Sequence, residues 1–103
     1  MKKIYNKLVR DKIPEIIAAD GKQANTRILD NKEYRIELIK KLQEEAKELA
    51  EDPSAEELAD IKELLMAIRE TLGIHAGALE DVRRRKAAKN GRFKKKIFLE
   101  SVE

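Results

Sequence analysis

One dipeptide, Asp52-Pro53, divides the long middle of this chain, which is rich in the helix-favouring residues Ala, Leu, Glu and Lys. The residue before a proline is disfavoured in helix, so a helix arriving at Asp52 has to stop there. Ser54 then stands as an N-cap, with Glu57 three residues on. Asp30 and Glu33 repeat the arrangement upstream, so each half opens with a capping box. The pattern predicts one helix from about Asn31 to Glu51 and a second from about Ala55 to Leu72, the latter stopped by Gly73. Folded about Asp52-Pro53, the two form an antiparallel helical hairpin.

The flanks are shorter and also helical. Pro14 is placed to open a helix that ends near Gly21, residues 22–29 read as a brief irregular or extended piece, and a further helix is expected from Gly77 to Lys89, closed by Asn90-Gly91. The tail RFKKKIFLESVE reads as a strand or an arm. With no internal repeat and no linker long enough to divide domains, the 103 residues are expected to form a single all-α domain, a hairpin of long helices with short flanking ones. At this size that hairpin leaves a broad apolar surface, which a second copy would bury. The chain has no cysteine, which rules out disulfides and thiolate metal sites and fits a cytoplasmic setting. It also has no apolar run of membrane-spanning length.

Charge is distributed in blocks. Residues 1–27 carry a net +4, residues 28–82 a net −8 and residues 83–103 a net +7. Basic ends around an acidic middle suit nucleic acid, or a polyanionic small molecule held between the ends and a metal-loaded centre. Four aromatics and no tryptophan supply base-stacking platforms poorly.

The acidic middle peaks in EEAKELAEDPSAEELAD, residues 44–60, with eight acids and one lysine. A helix turns about 100° per residue, so side-chain directions follow from position. On the first long helix Tyr34, Leu38, Leu42 and Leu49 share a stripe with Ala46 beside it. Glu45 falls within that stripe, Glu48 on its edge, and Glu44 faces solvent. On the second, Leu58, Ile61, Leu65, Ile68 and Leu72 define the buried stripe, with Glu57 inside it, Asp60 on its flank and Glu56 opposite. Partners across the turn should have numbers adding to a constant, and Glu48 with Glu57 and Glu45 with Asp60 both give 105. Facing carboxylates on apolar surfaces repel strongly, and a hard divalent cation with oxygen ligands, Mg²⁺ or Mn²⁺, resolves the conflict. An ordinary solvated hairpin, with Glu57 as a plain capping residue and Glu45 paired to Lys41, accounts for the same spacing.

Glu45-x-x-Glu48 followed by Glu57-x-x-Asp60 resembles the ExxE…ExxD signature of the all-α nucleoside-triphosphate pyrophosphohydrolases. That superfamily includes MazG-like enzymes, dimeric dUTPases and phosphoribosyl-ATP pyrophosphohydrolases. YNKLVRDKIPEII and KAAKNGRFKKKIFLE are similar to the flanking segments of a small MazG-like, phosphoribosyl-ATP pyrophosphohydrolase-like subgroup, so the resemblance spans nearly the whole chain. It implies a MazG-like oligomeric bundle, a homodimer or homotetramer, with Glu45, Glu48, Glu57 and Asp60 as Mg²⁺ ligands, Mn²⁺ being the other candidate ion. The implied reaction is hydrolysis of the α–β phosphoanhydride of a nucleotide to a nucleoside monophosphate and pyrophosphate, with Glu44 or Glu48 as proton acceptor.

In the same picture Lys7, Arg10, Lys12, Lys86, Arg92, Lys94 and Lys95 are candidates to clamp substrate phosphates, and Asn6 or Asp11 to touch base or sugar. His75, the only histidine, is expected to cap a helix or to be exposed. Tyr5, Tyr34, Phe93, Phe98 and Met66 are expected to pack. Two other readings compete with a house-cleaning nucleotide pyrophosphohydrolase. One is a phosphoribosyl-ATP pyrophosphohydrolase of histidine biosynthesis. The other is a non-enzymatic helical module that binds nucleic acid or a partner through Arg83–Lys86 and Lys94–Lys96.

Overall fold

A computed structural model describes residues 2–103. Four helices and no strand are present among them: α1 (Ile13–Ala19), α2 (Asn31–Glu51), α3 (Ala55–Thr71) and α4 (Ala76–Asn90). The fold is all-α, and each helix lies within a residue or two of its expected bounds. The chain divides into two compact units, one ending at Leu72 and one spanning Gly73–Glu103.

In the first unit, α1 begins with Pro14 in its first turn, where a missing N–H costs nothing. It ends in a Schellman arrangement around Gly21, which has φ +78°. The Gly21 N–H bonds the Ala18 carbonyl at 3.0 Å and the Lys22 N–H reaches back to Ile17 at 3.2 Å. α2 and α3 are capped as the sequence implies: Asp30 Oδ1 accepts from the Glu33 N–H at 2.8 Å, and Ser54 Oγ from the Glu57 N–H at 3.2 Å. The Glu33 carboxylate turns to Arg27, 2.9 Å from its Nη2. Ser54→Ala should therefore cost about 1 kcal/mol in unfolding free energy, read from a denaturant titration, because the Glu57 amide loses its acceptor.

α2 packs antiparallel against α3, and the open end of the hairpin is tied by Arg35, whose Nη2 donates to the Thr71 carbonyl at 2.8 Å. Leu38, 2% exposed, is the sole buried apolar side chain among the described residues. Tyr34, Leu42 and Leu49 are half-buried around it, whereas Ala46 is exposed. On α3 the half-buried positions are Glu57, Asp60, Ile61, Leu64, Ala67, Ile68, Arg69 and Thr71.

The expected stripe on α3 is corrected here. Leu58, Leu65 and Leu72 are 58%, 49% and 52% exposed. They recur every seven residues, on a line roughly 100° around the helix from the one that meets α2. A single neighbouring helix covers only one such line, so the other faces outward. Met66, Tyr5 and Phe98 are likewise exposed rather than packed, and Phe93 is 99% exposed, while Tyr34 is half-buried as expected.

In the second unit, α4 carries Arg83 against Glu80 at 2.6 Å, with Arg84 adding a contact to the same carboxylate at 3.4 Å. These bonds hold the Glu80 carboxyl below its ordinary range, the hydrogen bond from Arg83 contributing most. His75 sits at the N-cap of α4, exposed and without a side-chain capping bond. Gly91, with φ +85°, closes the helix, and the tail beyond has no regular structure, so of the two expectations for it the strand falls away. No helix among the described residues is long and apolar enough to cross a membrane.

Candidate metal centre

The turn at residues 52–54 is short, so the last turns of α2 lie beside the first turns of α3. α2 contributes Glu45, on the same face as Leu38 two turns earlier. α3 contributes Glu57, whose backbone N–H is capped by Ser54 while its side chain turns inward, and Asp60 one turn on. One carboxylate oxygen from each of Glu45, Glu57 and Asp60 lies within 4.8 Å of the other two. Glu45 is 7% exposed, and Glu57 and Asp60 are half-buried.

The oxygens at the heart of this group lack partners. Glu45 Oε2 and Glu57 Oε2 are both buried, and neither has a hydrogen-bond donor. A buried, unsatisfied acceptor costs roughly 1–3 kcal/mol, more when it is charged. Burial pushes the Glu45 carboxyl up from its ordinary value, and the neighbouring Glu57, close enough to share a proton with it, pushes it further. Glu48 is raised too, first by the charge of Glu45 and then by its own desolvation, with Lys41 opposing. Either a proton or a cation relieves such a site. Its donors are carboxylate oxygens alone, the chemistry that hard ions such as Mg²⁺ and Mn²⁺ select.

The register differs from the simple two-level pairing. Glu45 stands against both Glu57 and Asp60, whereas Glu48 lies outside the three-carboxylate set and touches it through Glu45. Glu44 points away, as expected. It lines a cleft of about 200 Å³ with Asn6, Lys7, Lys40 and Lys41. Lys7 thus sits in a cleft beside the acidic helix.

Arg10 is found on the cluster itself: its Nη2 donates to Asp60 Oδ1 at 2.5 Å. Lys12 occupies the N-cap of α1 and is exposed, as is Asp11. Lys86 on α4, and Arg92, Lys94 and Lys95 beyond it, belong to the second unit and are exposed. Two features escape the sequence reading. Lys41, two helical turns before Glu48, opposes the rise of its carboxyl at a spacing visible in the sequence, whereas nothing local pairs Arg10 with a residue fifty positions away.

No protein-family model, curated protein or solved structure matches this chain.

Proposed function

We propose that the chain is a Mg²⁺-dependent nucleotide pyrophosphohydrolase of the MazG type, which splits the α–β phosphoanhydride to a nucleoside monophosphate and pyrophosphate. The observation that carries this reading is the pair of buried, donorless oxygens on Glu45 and Glu57, two carboxylates grouped with Asp60. A solvated acidic helix surface does not bury carboxylates in this way. The resemblance of the ExxE…ExxD spacing and of both flanking segments supports the same reaction.

Glu45, Glu57 and Asp60 hold the ion, with Glu48 at the rim as a fourth ligand. A bound Mg²⁺ or Mn²⁺ supplies charge neutralisation at the phosphates and acidifies a coordinated water. Glu48, half-buried and about one turn from Glu45 on α2, takes the proton from the attacking water, whereas Glu44, the other carboxylate expected for that role, points away from the cluster. Within the first unit Lys7 and Arg10 act as phosphate partners; Lys12, and Lys86, Arg92 and Lys94 of the second unit, are candidates for the same role by their charge alone.

The outward line of Leu58, Leu65 and Leu72, with a core reduced to Leu38, argues for a second copy packed on the hairpin as a homodimer or homotetramer.

Pyrophosphate release measured across a panel of nucleoside triphosphates and phosphoribosyl-ATP tests the reading. Mg²⁺-dependent turnover is expected, lowered at least about 100-fold in Glu57→Gln and Asp60→Asn, since a lost metal ligand costs more than the 10- to 100-fold typical of outer partners. Turnover confined to phosphoribosyl-ATP would assign the histidine-biosynthetic reaction instead. No turnover, together with nucleic-acid affinity that falls steeply with salt, would leave a non-enzymatic module.

A further inference from the structure

The cluster already has a cation, supplied by the chain. Arg10 lies in the segment before α1, where its carbonyl accepts from the Ile13 N–H at 3.1 Å, and its guanidinium reaches across to Asp60 on α3. The contact is short and charge-assisted, and it falls on one of the three carboxylates whose oxygens lie within 4.8 Å of one another. It leaves one buried oxygen on each of the other two without a donor, Oε2 of Glu45 and Oε2 of Glu57. A guanidinium presents its N–H groups in one plane and cannot enter a three-carboxylate pocket as a spherical ion does. Arg10 therefore offsets the charge of the cluster at its exposed edge without satisfying its interior.

We propose that Arg10 is a built-in competitor of the metal for Asp60: the ion has to displace its guanidinium before Asp60 becomes a ligand. This rests on the proposed metal site and adds a regulation to it. Competition keeps the affinity of the empty site for free divalent ions low. Once displaced, the guanidinium stands at the edge of the ion, where phosphate oxygens of a nucleotide offer it a new anionic partner. Metal and phosphate then favour each other's binding, because each relieves what the other leaves unpaired.

The sign of the effect separates this from a merely structural role. Removing an ordinary supporting residue weakens metal binding, whereas removing a competitor strengthens it. Mn²⁺ binding is measured by calorimetry on the full chain, without nucleotide, for the native protein, Arg10→Gln, Asp60→Asn, the double variant and Glu45→Gln. Arg10→Gln is expected to bind Mn²⁺ about two- to fivefold more tightly, the span that the worth of an exposed ion pair allows. In the Asp60→Asn background the same change should have no effect, since no carboxylate is left to contest.

Tighter Mn²⁺ binding in Arg10→Gln that disappears in the double variant establishes the competition. Equal or weaker binding in Arg10→Gln overturns it, provided Glu45→Gln abolishes binding, and the metal site then stands without its regulator. Absence of Mn²⁺ binding in the native protein, or binding indifferent to Glu45→Gln, removes the metal site and this inference together. Arg10 is exposed, so its variant should fold as the native chain does, which far-ultraviolet circular dichroism checks.

Discussion

Glu45→Gln should abolish divalent-metal binding and at the same time make the metal-free protein more stable. The two effects have one cause. At neutral pH the native hairpin holds a carboxylate that is 7% exposed, carries an oxygen with no donor and faces two further acids. The amide keeps the shape and removes the charge, so the repulsion with Glu57 and Asp60 goes, while the anionic ligand an ion needs is lost. A gain of about 1 kcal/mol is expected from relieving one such group, which raises the melting temperature by roughly 4–8 °C in a domain of this size.

The pH dependence has a definite sign. Glu45 and Glu48 both titrate above the ordinary value of 4.5 in the folded state, Glu45 chiefly through burial and Glu48 chiefly through the charge of Glu45. The folded chain therefore binds more protons than the unfolded one above that value, and stability falls as pH rises through the raised range. Metal-free native protein should melt higher near pH 5 than at pH 7, and the slope should flatten in Glu45→Gln or with saturating Mg²⁺. A lower melting temperature for Glu45→Gln at pH 7, with an unchanged pH slope, would count against a strained cluster.

Leu38→Ala carries the second large effect. A leucine-to-alanine change at a fully buried site costs about 3 kcal/mol, and Leu38 is the sole buried apolar side chain among the described residues. Chemical denaturation should show a loss of that size, a large part of the total for a domain of this length. Leu65→Ala is the informative contrast. Leu65 is 49% exposed on the outward line of α3, so in an isolated chain its truncation costs little. If a second copy covers that line, the loss becomes substantial, and the stability of both forms depends on protein concentration. A concentration-independent melting temperature in the native protein and in Leu65→Ala would speak against the paired form.

Helix bounds were legible in the sequence because their determinants are local. A proline, two N-cap side chains and three glycines with positive φ mark where the helices start and stop, and each acts within four residues. The inward direction of Glu45 and Glu57 was also legible, since it follows from helical period. Which apolar line on α3 is covered was not. Leu58, Leu65 and Leu72 are as hydrophobic as Ile61, Leu64 and Ile68, and only the packing of α2 chooses between them. The same holds for Arg10, which its charge alone places among phosphate partners, because its bond to Asp60 depends on tertiary placement.

The two ends of the hairpin are fastened by different kinds of bond. At the open end the clasp is Arg35 on the Thr71 carbonyl, made wholly of the chain's own atoms. At the turn end the proposed clasp is an ion bridging Glu45 to Glu57 and Asp60, a cross-link around a loop of roughly 15 residues that by analogy with a disulfide contributes up to about 3 kcal/mol. One end would then fray or close with the free metal concentration of its surroundings, while the other stays indifferent to it. The hairpin would then be a hinge whose tightness is set from outside, and Glu57, whose N–H donates to the capping Ser54 while its carboxylate stands in the proposed ion site, is where that setting would enter the fold.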